Sequence, residues 1–354
     1  MITNILSLHN SLDASKSGVE QVSLLLKKIL SKLGYKCFEG CIKGENPNGL
    51  LNVFEYNFND SKKKVFRDFE AFIQQNQIDV IIDQGLFDPN INIAFKYIKK
   101  MGLCKIIFCL HNSPSAYTIC KKKSISEKIK IFLWYLVKFQ CVGFNLPKHR
   151  IKQLRQMYHN ANYFILLSDS YKKELIKILD IQEDKKILGI ENPLIFNQTV
   201  VDFSRKKKQV VMLCRLEDFQ KNITAALRIW SKIEQSSDEN WNLIIAGTGI
   251  DESLLKKYAA SLNLKRVRFV GHIKETEKLL LESSIFMMTS NFEGWPMSLL
   301  ESQQCGCVPI AFNTFMALNE IVQNNENGIV IEKENENNFA QNLIKLMNKS
   351  ELRI

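Results

Sequence analysis

The feature that most constrains the fold is the alternation of short apolar runs with helix-periodic segments along almost the whole chain. The clearest strand-like runs are Ile2–Leu8, Lys105–Leu110, Gln209–Cys214 and Ile285–Thr289. Runs that are apolar at nearly every position are typical of parallel strands, because helices cover both faces of a parallel sheet. The chain is therefore predicted to be an α/β protein with doubly wound parallel sheets.

A change of character at residues 193–208 divides this pattern into two halves. Pro193, scattered polar residues and the basic run Arg205–Lys208 interrupt the alternation, and a second α/β pattern then begins. A length of 354 residues also favours two domains over one. We predict one Rossmann-like domain over residues 1–195 and another over 196–354, facing each other across a cleft that binds ligand at the carboxyl ends of both sheets.

The positive charge is concentrated in the first half of the chain. Residues 1–200 contain 29 Lys and Arg against 18 Asp and Glu, whereas the remaining residues contain 19 of each, so the whole excess of +11 lies in the first half. Such an excess favours an anionic partner, either a membrane surface or a charged acceptor. Solvated lysine-rich surfaces are the plain alternative. No nucleic-acid-binding module is recognisable, so nucleic acid is not an expected partner.

Cysteine usage and hydropathy indicate a reducing compartment and no membrane-spanning segment. The nine cysteines are scattered, and several lie in apolar runs, which is typical of reduced core thiols. Cys305 and Cys307 form a lone C-x-C without a second pair at zinc spacing, so no metal site is expected. Neither a signal peptide nor an uncharged apolar run of about eighteen residues is present. The expected location is the cytoplasm.

The densest polar pattern lies in the stretch Ser290–Ile310, directly after a strand-like run. Glu293 lies in a polar turn with Gly294 and Pro296, and Glu301 follows eight residues later inside a helical segment. Strand, turn and helix in this order place a helix N-terminus at the carboxyl edge of a sheet. Such an N-terminus binds anions, because its first backbone N–H groups lack helical partners and the helix dipole is positive there.

The helix N-terminus predicts a phosphate site between two carboxylates. We expect the backbone amides of Met297, Ser298 and Leu299 to be free and to point at the phosphate. Glu293 and Glu301 would then contact different parts of one extended ligand. A phosphate flanked by carboxylates that bind sugar hydroxyls describes a nucleotide-sugar site.

Two cations are placed to bind a diphosphate. Arg215 follows directly on the run Gln209–Cys214, and Lys221 precedes the helical segment Ile223–Ile233. Both are therefore expected at the ligand-binding edge of the second sheet. A planar guanidinium and a compact ammonium together can clamp a diphosphate. An exposed Arg and Lys in a surface loop is the alternative.

A histidine occupies a similar position in the first half. His111 directly follows the run Lys105–Leu110, so it is expected at the carboxyl end of a central strand. There it could hydrogen-bond a sugar hydroxyl or shield developing charge. A structural histidine is the alternative. His9, His149 and His159 have no such context and receive no role.

These motifs together resemble the signature of the family 4 retaining glycosyltransferases, which have the GT-B fold. In that signature E-x7-E is followed by a helix end of small residues and a proline, and the matching residues here are Glu293, Gly294, Pro296, Glu301, Gly306 and Pro309. The family also has an Arg and a Lys at the places of Arg215 and Lys221. The neighbourhood of Pro309 looks most like bacterial lipopolysaccharide, O-antigen and capsule transferases. The resemblance is dense from about Gln209 to Ile331 and thinner before it.

The resemblance implies a role for individual residues. Glu301 would bind the ribose, and Glu293 the donor sugar with Gly294, Trp295 and Pro296 beside it. The nucleotide base would lie near Gly271 and His272, while His111 and Glu293 would serve catalysis. Gly18 lies where relatives have a glycine-rich turn that approaches the donor phosphate, although this chain has a single glycine there.

The reaction implied is transfer of a hexose or N-acetylhexosamine from a nucleoside diphosphate sugar, most simply a UDP-sugar, to a hydroxyl of a lipid-linked or polysaccharide acceptor. Retention of configuration follows from the resemblance, and neither a cofactor nor a metal is expected. The alternatives are another GT-B enzyme, such as a nucleotide-sugar epimerase or a phosphorylase, and a catalytically silent sugar-nucleotide-binding subunit. Against the silent subunit, Arg215, Lys221, Glu293 and Glu301 are all present.

One segment leaves two interpretations open. Lys121–Phe144 combines lysines with an aromatic and aliphatic stretch of helical length. Such a composition suits a helix at a membrane interface, and it equally suits a core helix of the first domain. With the basic first half, the former favours a peripheral position at the inner face of the plasma membrane.

Overall fold

The computed structural model describes residues 3–13, 18–47, 49–50, 53–57, 59–118, 147–194, 196, 200–236 and 240–353. The segment Lys121–Phe144 lies outside the described residues. The chain divides into two compact units, Met1–Glu191 and Asn192–Ile354. Across the described ranges, no helix has the length and apolar character needed to cross a bilayer.

The first unit is built on a sheet of seven parallel strands. In chain order the strands are β1 (Asn4–Leu8), β2 (Lys36–Ile42), β3 (Phe54–Tyr56), β4 (Val80–Asp83), β5 (Lys105–Leu110), β6 (Tyr163–Leu166) and β7 (Ile187–Gly189). Their order across the sheet is β3-β2-β1-β4-β5-β6-β7. The α-helices between them are Gly18–Lys32, Lys62–Gln75, Pro89–Met101, Pro147–Asn160 and Tyr171–Leu179. The strand order reverses between β1 and β4, so the carboxyl ends of these two strands border a crevice.

The local sequence explains how a helix is fitted to this sheet. Asp88 caps the helix Pro89–Met101, because its side chain accepts hydrogen bonds from the backbone amides of Asn90 and Ile91. The proline lies in the first turn, where its missing N–H costs nothing. Gly102 ends the helix in the left-handed conformation, with φ 65°. The buried face of the helix shares a core cluster with Leu6 and Leu8 of β1, Ile81 of β4 and Ile106 of β5.

The second unit repeats the architecture with six parallel strands. They are β8 (Lys207–Leu213), β9 (Asn242–Ala246), β10 (Val267–Gly271), β11 (Ser283–Met288), β12 (Val308–Asn313) and β13 (Ile329–Glu332), in the order β10-β9-β8-β11-β12-β13. The α-helices are Asp218–Lys221, Ile223–Ser236, Glu252–Ser261, Thr276–Glu282, Met297–Gln304, Leu318–Ile321 and Glu336–Asn348. Here the order reverses between β8 and β11. The two doubly wound parallel sheets predicted from the sequence are confirmed.

One local expectation differs from the structure. The run Arg205–Lys208 was predicted as part of a linker, yet β8 begins at Lys207. A lysine-rich run is hydrophilic in sequence, but its aliphatic stems can be buried while the ammonium groups find oxygen partners.

Lys206 shows why this run belongs to the folded unit. Its Nζ donates hydrogen bonds to the backbone oxygens of Leu280 at 3.1 Å, Ser283 at 2.7 Å and Cys305 at 2.5 Å. These oxygens lie at the C-terminal ends of the helices Thr276–Glu282 and Met297–Gln304, where carbonyl groups lack helical donors. Lys206 therefore joins the ends of two helices to the start of β8.

We predict that Lys206→Met lowers the free energy of unfolding of the second unit by about 3 kcal/mol, because buried carbonyl groups lose a charged donor. Denaturant titration followed by tryptophan fluorescence measures this change. The matched control is Lys207→Met, which removes an exposed ion pair with Glu282 and should cost less than about 1 kcal/mol. Equal effects of the two substitutions would contradict a structural role for Lys206.

Candidate functional site

The candidate site lies where the strand order of the second sheet reverses. The segments that follow β8 and β11 meet there, as expected for a ligand-binding crevice in a doubly wound sheet. Cys214, Lys221, Thr289, Ser290 and Ser298 are among the residues that line a small pocket at this place. The structure thus brings one predicted cation to the N-terminus of the predicted anion-binding helix.

Hydrogen bonds hold the two segments together. The backbone N–H of Asn291 donates to the Gln220 carbonyl at 2.7 Å, and its side-chain amide donates to the Phe219 carbonyl at 2.9 Å. The Thr289 hydroxyl donates to the carbonyl oxygens of Lys221 at 3.1 Å and Asn222 at 3.0 Å. Residues separated by about seventy positions in the chain are therefore fixed side by side.

The central contact of the site is an ion pair between Lys221 and Glu293. Lys221 Nζ lies 2.6 Å from Glu293 Oε1, and the side chains are 16% and 7% exposed. Gln220 Nε2 donates to the other Glu293 oxygen at 3.3 Å. Because the pair is largely shielded from water, its attraction is screened less than that of a surface pair. The predicted diphosphate ligand Lys221 and the predicted sugar ligand Glu293 thus form one unit.

Arg215 differs from Lys221 in its exposure. Its side chain is 56% exposed, and its Nε lies 3.6 Å from Glu217 Oε2. The backbone at this position is held by the neighbouring glycine turn, since the Leu216 N–H donates to the Thr248 carbonyl at 2.9 Å. Gly247 is required for this close approach, because a Cβ there would lie 1.9 Å from the Cys214 oxygen. The guanidinium is therefore accessible on a fixed backbone.

The helix N-terminus provides two free amides instead of the three predicted. Pro296 occupies the N-cap of the helix Met297–Gln304 and has no side-chain cap. The amides of Met297 and Ser298 have no acceptor within the described part of the chain, whereas the Leu299 N–H donates to the Pro296 carbonyl at 3.1 Å. The expectation of a free Leu299 amide is therefore wrong, because a tight 3₁₀-type first turn uses it.

Glu301 has a different environment from Glu293. It is 7% exposed, and no hydrogen bond or ion pair joins its carboxyl group to any residue that the structure describes. Burial raises the pKa of this carboxyl to about 7, because the ionised form loses its hydration without gaining a partner. A ligand that offers hydroxyl groups would supply the missing hydrogen bonds to the ionised form.

The other predicted donor-site residues lie on two segments. Gly294, Trp295 and Pro296 are buried in the turn between β11 and the helix Met297–Gln304, and the Trp295 carbonyl accepts from Asn192 Nδ2 at 3.5 Å. Gly271 ends β10 with φ 72°, and His272 beside it is exposed. Because β9 separates β10 from β8, this second segment lies two strands from the phosphate site at the same edge of the sheet.

In the first unit, His111 is half-buried at the carboxyl end of β5. Its Nε2 lies 2.8 Å from Gln84 Oε1, and burial lowers the pKa of the imidazole to about 4. His111 is therefore neutral at pH 7. Of its two predicted roles, this neutrality favours hydrogen bonding to a hydroxyl over shielding of negative charge.

Sequence reasoning missed two polar groups at the same edge. His9 follows β1, and its Nε2 lies 2.6 Å from Glu39 Oε2, while Lys27 Nζ lies 3.1 Å from the other oxygen of that carboxylate. Asp83 ends β4, and burial raises its pKa to about 8. His9 and Asp83 lie at the carboxyl ends of the two strands between which the order reverses, so the position of each residue in the strand pattern was the available signal. Gly18 begins the helix Gly18–Lys32, and residues 14–17 before it lie outside the described residues.

Comparison with known proteins identifies the class. Residues 196–353 match the family model described as glycosyl transferases group 1. The chain is 29% identical over 351 residues to an uncharacterized glycosyltransferase of Haemophilus influenzae. The alignment covers 96% of this chain and 89% of the relative. It is 22% identical over 360 residues to a Campylobacter jejuni α-1,4-N-acetyl-D-galactosaminyltransferase named for a diNAcBac-PP-undecaprenol glycan, with 99% and 90% coverage.

A solved structure with the same fold is HepE from Anabaena in complex with UDP and glucose. Its TM-score is 0.75 at 14% identity, with 99% of this chain and 91% of HepE covered. The solved neighbours are GT-B glycosyltransferases, so the predicted fold class is confirmed. The match to the group 1 glycosyl transferase model lies within the second unit of this chain.

The two carboxylates of the E-x7-E motif should affect stability in opposite directions. Because the pKa of Glu301 is raised in the folded state, the native protein binds more protons than the unfolded chain between about pH 4.5 and 7, and stability falls as pH rises through this window. Glu301→Gln removes this loss and should raise the free energy of unfolding by up to about 3 kcal/mol at pH 8, with the gain fading toward pH 4.5.

Glu293→Gln is the matched control, since it should lower the free energy of unfolding by about 3 kcal/mol by leaving Lys221 unpaired. Denaturant titrations of both variants at pH 5, 6.5 and 8 measure the two trends. Destabilisation by Glu301→Gln at pH 8 would mean that a partner holds Glu301 ionised.

Proposed function

We propose that this chain is a retaining glycosyltransferase of the family 4 type. It transfers a hexose or N-acetylhexosamine from a UDP-sugar to a hydroxyl group of a lipid-linked or polysaccharide acceptor in cell-surface glycan biosynthesis. The observation that carries the proposal is the grouping of Lys221, Glu293, Glu301 and two unpaired helix amides around the reversal point of the second sheet. This grouping offers positive charge for a diphosphate and carboxylates for sugar hydroxyls.

The chemistry requires stabilisation of a leaving group whose negative charge grows in the transition state. Arg215, Lys221 and the amides of Met297 and Ser298 supply positive electrostatic potential on a fixed backbone, so little reorganisation is needed during the reaction. Interactions that strengthen as the diphosphate departs lower the barrier more than they strengthen substrate binding. No metal is assigned, because these groups provide the neutralisation.

Glu293 is paired with Lys221 at 2.6 Å, and we assign to Glu293 the hydroxyls of the donor sugar. Binding of the donor then places a sugar at the carboxylate and a diphosphate near the ammonium. Glu301 binds the ribose, and Gly271 and His272 border the base. His111 accepts or donates a hydrogen bond to a substrate hydroxyl, and Gly18 borders the donor phosphate.

The relatives support the choice of donor and acceptor. HepE was crystallised with UDP and glucose, which supports UDP as the nucleotide. The Campylobacter jejuni relative is named for a glycan on a PP-undecaprenol carrier, which supports a lipid-linked acceptor. The donor sugar is the part of the proposal that a substrate panel must define.

Donor binding is tested by thermal stabilisation of the purified protein with UDP-, GDP- and dTDP-sugars, with and without EDTA. A ligand that binds the native state raises the melting temperature by mass action. We expect a selective shift with UDP-sugars that EDTA does not diminish and that Glu301→Ala abolishes. Absence of a shift with every nucleotide sugar would refute the donor site.

Loss of Arg215 or Lys221 should reduce transfer more than binding. We expect Arg215→Ala and Lys221→Ala each to lower kcat by about 100-fold, the typical effect of losing one donor to a developing anion. The control is Arg268→Ala, which removes an exposed arginine from β10 in the same unit and should leave kcat unchanged. Release of UDP from the UDP-sugar that stabilises the wild-type protein measures the rate.

We also propose that the first unit binds an anionic membrane surface, where a lipid-linked acceptor would be located. The helix Pro147–Asn160 contains Lys148, Arg150, Lys152 and Arg155 and no acidic residue, and three of these four are exposed. Basic residues near an anionic lipid surface contribute about 1 kcal/mol each. This helix therefore concentrates part of the charge excess of the first half.

Vesicle sedimentation tests the membrane proposal. We expect the protein to sediment with vesicles of phosphatidylglycerol and phosphatidylcholine but not with phosphatidylcholine alone, and less as salt is raised. Lys148→Glu combined with Lys152→Glu should weaken binding by about tenfold or more. The matched control, Lys257→Glu combined with Lys265→Glu, reverses two exposed charges of the second unit. Equal losses in both double variants would argue against the helix Pro147–Asn160 as the contact surface.

A further inference from the structure

The contact between His111 and Gln84 determines which ring nitrogen carries the proton. Gln84 Oε1 lies 2.8 Å from His111 Nε2. A side-chain amide oxygen only accepts hydrogen bonds, so Nε2–H is the donor in this contact. The ring is neutral at pH 7, because burial lowers its pKa to about 4. A neutral imidazole protonated at Nε2 has an unprotonated Nδ1, which only accepts.

The Gln84 side chain is held by the turn at the end of β4. Asp83 Oδ1 accepts from the Leu86 N–H at 2.8 Å, which fixes the turn. Gly85 has φ 81°, and a Cβ there would lie 3.3 Å from the Cys109 oxygen and 3.7 Å from the His111 ring. The turn therefore packs directly on the end of β5. Gln84 itself is 5% exposed, so water competes little for its contact with the ring.

The second nitrogen of the ring, Nδ1, makes no hydrogen bond within the described part of the chain. His111 Nδ1 is buried and has no partner among the residues that the structure describes. A buried polar atom without a partner is rare and costs about 1 to 3 kcal/mol. It is therefore a candidate for contact with a ligand group, and the tautomer decides what that group must be.

We propose that Gln84 is a positioning residue that keeps the proton of His111 on Nε2, so that Nδ1 accepts a hydrogen bond from a hydroxyl group of the sugar substrate. The proposal rests on the proposed function for the identity of that hydroxyl. It assigns no proton transfer to the ring. A carbonyl or phosphate oxygen at the same place would face the lone pair of Nδ1 and be repelled, so the contact selects hydroxyl groups.

The tautomer is measured directly by ¹⁵N NMR of the histidine-labelled protein without substrate. The resonance of His111 is assigned from its loss in His111→Asn. We expect Nδ1 of the wild-type ring to show the chemical shift of an unprotonated nitrogen and Nε2 that of a protonated one from pH 6 to 8. The opposite pattern would overturn the proposal, whatever the protein's activity.

Gln84→Met removes the acceptor oxygen while nearly keeping side-chain length. We expect this variant to show a mixture of both ring tautomers and to lose about tenfold in kcat/KM, as for loss of one buried hydrogen bond. Gln153→Met is the matched control, because Gln153 is a buried glutamine of the same unit; its tautomer pattern and kcat/KM should remain unchanged.

The results separate this inference from the proposed function. A Gln84→Met variant that keeps a pure Nε2–H tautomer and full activity would refute the positioning role. Full activity of His111→Asn, together with the expected tautomer in the wild-type protein, would instead refute the substrate contact of His111. In that case the tautomer assignment stands, and the role in the reaction fails.

Discussion

The candidate site depends on one buried ion pair, that of Lys221 with Glu293. Each partner comes from a segment that follows a different strand, and these are the two strands between which the order of the second sheet reverses. A buried charge without its partner would be costly, so the pair resists separation of the segments. The side chains of Asn291 and Thr289 also donate hydrogen bonds to backbone carbonyls of the opposite segment, which holds the two segments together around the ion pair. The first turn of the helix Met297–Gln304 directly follows this locked region, which explains how two free amides are held at a fixed place.

The two acids of the E-x7-E motif illustrate how the same residue type acquires different properties. Glu293 is ion-paired, whereas burial without a hydrogen-bonding partner in the described structure raises the pKa of Glu301 to about 7. The first is therefore stabilised by the protein itself, and the second costs stability when it is ionised. A residue that weakens the folded state is retained most readily when a ligand repays that cost on binding. Glu301 is therefore the better candidate for a ligand contact.

The sequence was sufficient to predict the two doubly wound parallel sheets, because strand-like runs have a local signature. The prediction failed where a side chain acts over distance. Lys206 looked like part of a solvated basic run, but its ammonium group binds carbonyls more than seventy residues away. The prediction of a free Leu299 amide was wrong, because the choice between an α-helical and a 3₁₀ first turn depends on local packing. The sequence gives no indication of a role for Gln84, because its contact with the His111 ring joins residues 27 positions apart in the chain.

The polar groups at the carboxyl edges of the two sheets differ in charge. At the carboxyl edge of the first sheet, the shifted pKa values of His111 and Asp83 keep both groups neutral at pH 7. At the edge of the second sheet, Arg215, Lys221 and the helix amides supply positive potential. A neutral imidazole protonated at Nε2 can accept a hydrogen bond at Nδ1, which is the contact proposed for a substrate hydroxyl group.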